Sequence, residues 1–168
     1  MKYISEGLEV SDNKVTDKSI IKPIPYHKFA FIRLNLSEAD ESWKIQLDTK
    51  SNWISVGVCI KELVVKNNYK FTNSLSDQKF PHSFFGLSSN GFTWNKNVPA
   101  ENSKKKEGLK LSGSQVIKVF YDASNLTLTF KVDNCSFTLT KVFADDNTQM
   151  VPCVIFSKNG DSAAYFKS

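Results

Sequence analysis

The chain has 168 residues, 40% hydrophobic and 23% charged, with a formal net charge of +5. That length suits one domain with a substantial core. The balance is globular rather than disordered or fibrous, and the charge is too mild to mark a nucleic-acid binder without a basic stripe or motif. Phe is common at 13 and Gly sparse at 7, which suits sheets packed face to face.

Residues 1–25 are polar and irregular and end in Pro23-Ile24-Pro25. Prolines at alternate positions argue against a central strand, so this stretch reads as a lead-in segment or linker with at most one short edge strand. The β-sandwich domain is expected over residues 26–168. The opening Met1-Lys2-Tyr3-Ile4-Ser5-Glu6 lacks the apolar stretch of a signal peptide. No apolar run is long enough to span a membrane.

The next elements follow from a period of two. In residues 28–36, Ala30, Ile32, Leu34 and Leu36 alternate with Phe29, Phe31, Arg33 and Asn35, giving one apolar and one mixed face. Residues 43–47 give a second short strand. Trp53-Ile54-Ser55-Val56-Gly57-Val58-Cys59-Ile60 is almost continuously apolar or small, as in a strand covered on both sides. Residues 61–81 are Asn/Ser-rich and read as a long loop. Its Tyr69, Phe71 and Phe80 either pin that loop or await a partner. Residues 83–88 are apolar again, and Asn90-Gly91 signals a hairpin into Phe92-Thr93-Trp94. Residues 98–108 read as loop. Within them Lys104-Lys105-Lys106 is the densest basic run, better explained as solvated than as a phosphate contact.

The C-terminal third is the clearest. Ile117, Val119 and Tyr121 share a face opposite Val116, Lys118 and Phe120. Ala123-Ser124-Asn125 turn the chain, and Leu126, Leu128, Phe130 and Val132 then alternate with Thr127, Thr129 and Lys131. After Asp133-Asn134, Phe137 and Leu139 face one way and Ser136, Thr138 and Thr140 the other. Residues 150–156 and 163–166 supply two last strands. Many short strands at this spacing mean a sandwich or barrel.

Sites of chemistry are not apparent. Cys59, Cys135 and Cys153 are odd in number and widely spaced, so they read as reduced, half-buried thiols of a cytoplasmic protein. A nucleophile needs a base oriented by a third group. The chain has only His27 and His82, and Cys153 beside Pro152 reads as structural. The closely spaced Cys/His pairs of structural zinc are missing. Gly86 and Gly91 have phosphate-loop spacing, but Phe92-Thr93 follows them instead of Lys-Ser/Thr. Asp145-Asp146-Asn147 reads as a turn and not a calcium loop. The expectation is a chain that is no enzyme and holds no metal or cofactor.

Several of these segments, in order, resemble the SPRY family. Val56-Gly57-Val58 is similar to its "VGV" strand. Phe85-Gly86-Leu87 and Asn90-Gly91 are similar to its "WGL…NG" hairpin. Residues 113–122 are similar to its "G-x-x-V-G-V-x-x-D" strand, Leu126 to Phe130 to its "G-x-L-x-F", and Met150-Val151-Pro152-Cys153-Val154 to its "L-x-P-x-V". Phe85 replaces Trp, Ile117-Lys118 replaces Val-Gly, and Asn125 occupies the turn where the family has Gly. The resemblance implies an all-β, two-sheet antiparallel sandwich of the concanavalin-type jelly roll. It also implies a protein or peptide partner bound by loops at one end, as in the target-recognition parts of ubiquitin ligases and scaffold proteins. In SOCS-box members a Tyr after "VGV" and a tripeptide after "P-x-V" help form the peptide site. The matching positions are Tyr69 and Ser157-Lys158-Asn159, so Tyr69, Phe71, Lys158 and Asn159 are the expected binding residues, with Lys158 standing where those members have Trp. The chain is expected to be a cytoplasmic monomer. The rival reading is a lectin-like sandwich stacking a sugar on an aromatic, and a weaker one is nucleic-acid binding through residues 104–106.

Overall fold

The computed structural model describes residues 8–18, 28–32, 36, 40–48, 53–67, 84–102, 104–105, 111, 114–144, 148–157 and 160–167. In chain order the elements are β1 (Leu8–Ser11), β2 (Lys14–Asp17), β3 (Lys28–Phe31), β4 (Glu41–Asp48), β5 (Ile54–Ile60), helix α1 (Lys61–Lys66), β6 (Phe84–Ser88) and β7 (Phe92–Asn95). A 3-10 turn follows at Pro99–Glu101, then β8 (Lys104–Lys105), β9 (Val116–Asp122), β10 (Thr127–Val132), β11 (Cys135–Leu139), β12 (Met150–Phe156) and β13 (Ser162–Lys167). They form two antiparallel sheets. One has the order β1-β2-β13-β4-β9-β10-β11 and the other β3-β12-β5-β6-β7-β8.

Alternation decides which side chains meet between the sheets. In β9, Ile117, Val119 and Tyr121 are buried while Val116, Lys118 and Phe120 are exposed. Trp43, Ile45 and Leu47 of β4 and Leu128 and Phe130 of β10 join them. Opposite lie Val56 and Val58 of β5, Phe85 and Leu87 of β6, and Val154 and Phe156 of β12. The six-stranded sheet is covered on its outer face as well. Phe29, Phe31, Cys59, Phe84, Trp94, Val151, Cys153 and Ile155 form a second buried cluster there, with Trp53 and Val64 of α1. That explains why β5 and β12 are buried along their whole length. It also gives β3 two apolar faces instead of one, and all three Trp are buried.

Gly57 and Gly86 face each other across β5 and β6. A Cβ on Gly57 would lie 2.0 Å from the Phe85 carbonyl oxygen, and one on Gly86 would lie 2.1 Å from the Phe84 ring. The two family-like glycines are therefore required by close approach. Pro152 sits inside a central strand, which normally excludes it. Its carbonyl accepts from Ile32 N at 2.8 Å, just beyond the last residue of β3. The missing N–H faces the side where β3 has ended, so little is lost from the ladder.

Turns obey local chemistry. The β1–β2 and β10–β11 hairpins have two-residue loops, with Ser11 opposite Lys14 and Val132 opposite Cys135. Each has Asp in the left-handed region, at Asp12 (φ 49) and Asp133 (φ 50), which Asp tolerates better than bulkier residues. The Asn90-Gly91 hairpin has Gly91 at φ 85, with its N–H donating to the Ser88 carbonyl at 2.9 Å.

Several sequence expectations need correction, among them the 98–108 loop, within which Lys104–Lys105 pairs with β7 as β8. Residues 8–17, within the expected lead-in, form a β-hairpin whose second strand pairs with β13. Its four-residue strands are too short to show a clear alternation. Residues 61–66 are helical where loop was expected; α1 is a single short helix with one buried residue, Val64, so no 3.6-residue pattern could develop. The β9–β10 turn has Leu126, expected in the strand, in the left-handed region (φ 53). Asn125 donates through its backbone and side chain to the Asp122 carboxylate, both at 2.8 Å. Of the thiols, Cys59 and Cys153 are fully buried and Cys135 is exposed, all three free; β11 is an edge strand.

Candidate functional site

A sandwich of this kind offers loops at two ends, and each end is stapled across the sheets by buried polar groups. At one end, Asp17 closes β2 in the seven-stranded sheet and Lys28 opens β3 in the other. Lys28 Nζ lies 2.7 Å from Asp17 Oδ1, both side chains being almost fully buried. Gly160 and Asp161, which lead into β13, are bonded to the backbone of Asp17. Gly160 N donates to the Asp17 carbonyl at 2.8 Å, and Asp17 N donates to the Asp161 carbonyl at 2.9 Å. Gly160 has φ 88, a conformation that favours glycine. On the other flank Ser157 Oγ donates to the Trp53 carbonyl at 2.6 Å. Next to Trp53, Ile54 N donates to Ser89 Oγ at 3.1 Å, and Ser89 N donates to the Ile54 carbonyl at 2.7 Å. The 89–91 hairpin is thereby fixed at the same end. Both flanks of residues 158–159 are thus held by the scaffold.

The opposite end is organised by Asn95, which is fully buried. Its Nδ2 donates to Glu101 Oε2 at 2.8 Å and to the Thr140 carbonyl at 2.7 Å. Its N–H donates to Asn102 Oδ1 at 2.7 Å. Asn97 Nδ2 donates to the Lys141 and Phe143 carbonyls at 2.8 and 2.9 Å. These amides tie the exit of β7 to the exit of β11, and three of their four side-chain donor bonds go to backbone carbonyls. Leu126 and Phe143 are partly exposed beside them, linked through Val142 N, which donates to the Leu126 carbonyl at 2.8 Å. Helix α1 starts at this end, where Lys61 N donates to the Gln149 carbonyl at 3.0 Å.

Tyr69, Phe71, Lys158 and Asn159 lie outside the described residues. The described flanks of their two segments stand at opposite ends of β5. Ser157 is beside Trp53, whereas Phe84, where the 68–83 connection returns, pairs with Cys59. Those ends are about 20 Å apart at the rise of an extended strand. Sequence reasoning missed Asp17, Lys28, Asp161 and Asn95. Asp17 falls within the expected lead-in, and each of the four has a partner on a different element: Asp17 meets Lys28 of the other sheet and Asp161 beyond β12, and Asn95 meets Thr140, 45 positions away.

The described residues hold no group of three or more His, Cys, Asp or Glu that could bind a metal ion. Burial, and then the Cys59 thiol, push the Cys153 thiol well above its ordinary 9.0, the opposite of what a nucleophile needs. No helix among the described residues is long and apolar enough to cross a membrane.

No family model matches the sequence, and no curated protein matches it. Solved structures do. The SPRY domain of human HERC1 is similar with a TM-score of 0.72 at 13% identity, over 96% of this chain and 93% of that one. The TRIM65 PSpry domain gives 0.62 at 15% identity, over 98% and 88%. Stonustoxin gives 0.59 at 18% identity, over 96% of this chain and 25% of that one. Two antiparallel sheets, a Gly57–Gly86 pair where the "VGV"-like and "WGL"-like strands meet, and this likeness over nearly the whole chain show a β-sandwich with the SPRY-like fold.

Proposed function

We propose that the chain is a protein-interaction module that recognises a peptide or protein surface through loops at the Lys28 end. One observation supports this reading most. The described residues on either side of Lys158 and Asn159 are both fixed, Ser157 on Trp53 and Gly160 and Asp161 on Asp17. A rigid sandwich that holds the ends of a variable loop suits recognition, because little ordering entropy is then lost on binding. In this reading Tyr69 and Phe71 supply apolar area and Lys158 and Asn159 supply polar contacts. This reading requires Tyr69 and Phe71 to act at the same site as Lys158 and Asn159, which the variants below test. The domain then serves as the target-recognition part of a cytoplasmic ubiquitin ligase or scaffold.

The test is a displayed random-peptide library selected against the folded domain. Tyr69→Ala and Lys158→Ala should each lose the selected peptides by about tenfold or more, with an unchanged melting temperature. Peptides that bind both variants as tightly as the parent chain would move the site elsewhere. Binding on a glycan array, with no peptide selected, would favour a sugar-binding sandwich.

A further inference from the structure

The outer face of the seven-stranded sheet carries a feature that loop recognition does not use. In the pairing register Lys44 of β4 stands opposite Lys118 of β9, and Lys118 stands opposite Lys131 of β10. The three ammonium groups make one row across adjacent strands, about 4.8 Å apart at the backbone. None has an acidic partner among the described residues. Among the described acids of this sheet, Asp122 is engaged by Asn125, Asp133 accepts from Gln115 Nε2 at 2.7 Å, Asp40 accepts from Ala123 N at 3.0 Å, Glu9 pairs with Lys18 at 3.2 Å, and Glu41 and Asp48 stand at the two ends of β4. Like charges directly opposite one another destabilise a sheet.

The same face exposes apolar side chains. Phe166 stands opposite Lys44, and Phe120 and Val116 lie two residues to either side of Lys118. These three are 40%, 40% and 41% exposed, among the most exposed large hydrophobics of the described residues. An unneutralised basic row between exposed apolar residues marks a binding surface better than a solvated one.

We propose that this face is a second docking surface, which takes an acidic polypeptide segment with interspersed apolar residues. Carboxylates would neutralise the lysine row, and apolar side chains would cover Phe120, Phe166 and Val116. A single-stranded nucleic acid fits less well. Phe120 and Phe166 are on β9 and β13 with β4 between them, so they offer no adjoining platforms for successive bases. The chain's one arginine, Arg33, is not on these strands.

The probe is a fluorescein-labelled peptide alternating Glu with Leu and Phe, followed by anisotropy at low and high salt. The Lys44→Gln/Lys118→Gln/Lys131→Gln variant should bind it at least about tenfold more weakly and melt no lower than the parent, since the repulsion is relieved. Phe120→Ser/Phe166→Ser should also weaken binding. A control of equal charge, Lys66→Gln/Lys104→Gln/Lys105→Gln, should bind like the parent. The proposal is overturned if the control loses as much as the row variant, if the row variant binds unchanged, or if the same peptide with Gln for Glu binds equally well. It is also overturned if oligouridine RNA or phosphatidylserine vesicles bind the row more tightly than the peptide does. None of these outcomes depends on Tyr69 or Lys158, so failure here and failure of the loop site are separate results.

Discussion

Single residues carry much of the architecture because they sit where no alternative fits. The Lys28–Asp17 pair is the clearest case. Two buried charges at 2.7 Å join the sheets at the end where Gly160 and Asp161 are bonded to the Asp17 backbone. Removing one partner strands the other in a low-dielectric site. Lys28→Met should therefore cost about 3–5 kcal/mol in urea unfolding, and adding Asp17→Leu should recover part of that loss. If Lys28→Met were nearly neutral, the pair would not be holding this end together. Leu126 is the converse: a β-turn position held at φ 53 by a side chain poorly suited to it, at a cost of roughly 1–2 kcal/mol.

Among the elements, β10 shows how far alternation alone reaches. Phe130 is fully buried, while Thr129 on the other face is only half-buried, its hydroxyl 2.9 Å from that of Thr138 on β11. Phe130→Ala should cost about 3–5 kcal/mol and Thr129→Ala about 1 kcal/mol or less. Equal losses by chemical denaturation would mean that the strand faces the other way. The same period of two, read along β5 and β12, gave continuous burial. In those strands both faces are covered, so the signal that separates inside from outside vanishes. The buried hydroxyl of Tyr121, donating to the Val142 carbonyl at 3.3 Å, then ties β9 to the segment after β11.

For the molecule as a whole, the buried titratable groups predict an alkaline limit. Burial, with a smaller contribution from Asp122, raises the Tyr121 phenol above its ordinary 10.0; Cys153 is raised above 9.0. Both groups are neutral when protonated and hold their protons more tightly in the folded chain. Their stabilisation is complete below the unfolded values and is lost as pH rises through the folded ones. The urea midpoint should thus hold from neutral pH to about pH 9 and fall by about pH 10.5. Tyr121→Phe should flatten the upper part of that decline. A midpoint that is level to about pH 10.5 would count against burial as the cause.

The sequence alone determined what depends on local order. Alternation in β9 and β10, the continuous run of β5, the Asn90-Gly91 turn and the ordered SPRY-like segments were enough for an antiparallel sandwich. A strand's face and a turn's handedness are settled within a few residues. Tertiary structure alone decided what depends on distant pairing. Asp17 meets Lys28 only because β2 and β3 end on facing sheets. Asn95 meets Thr140, 45 positions away, only because β7 and β11 exit at the same end. The Lys44, Lys118 and Lys131 row exists only in the strand register. Each of these lysines, read along its own strand, is an ordinary polar residue on a solvent face. Strand order brings the three charges together, and no local propensity encodes strand order.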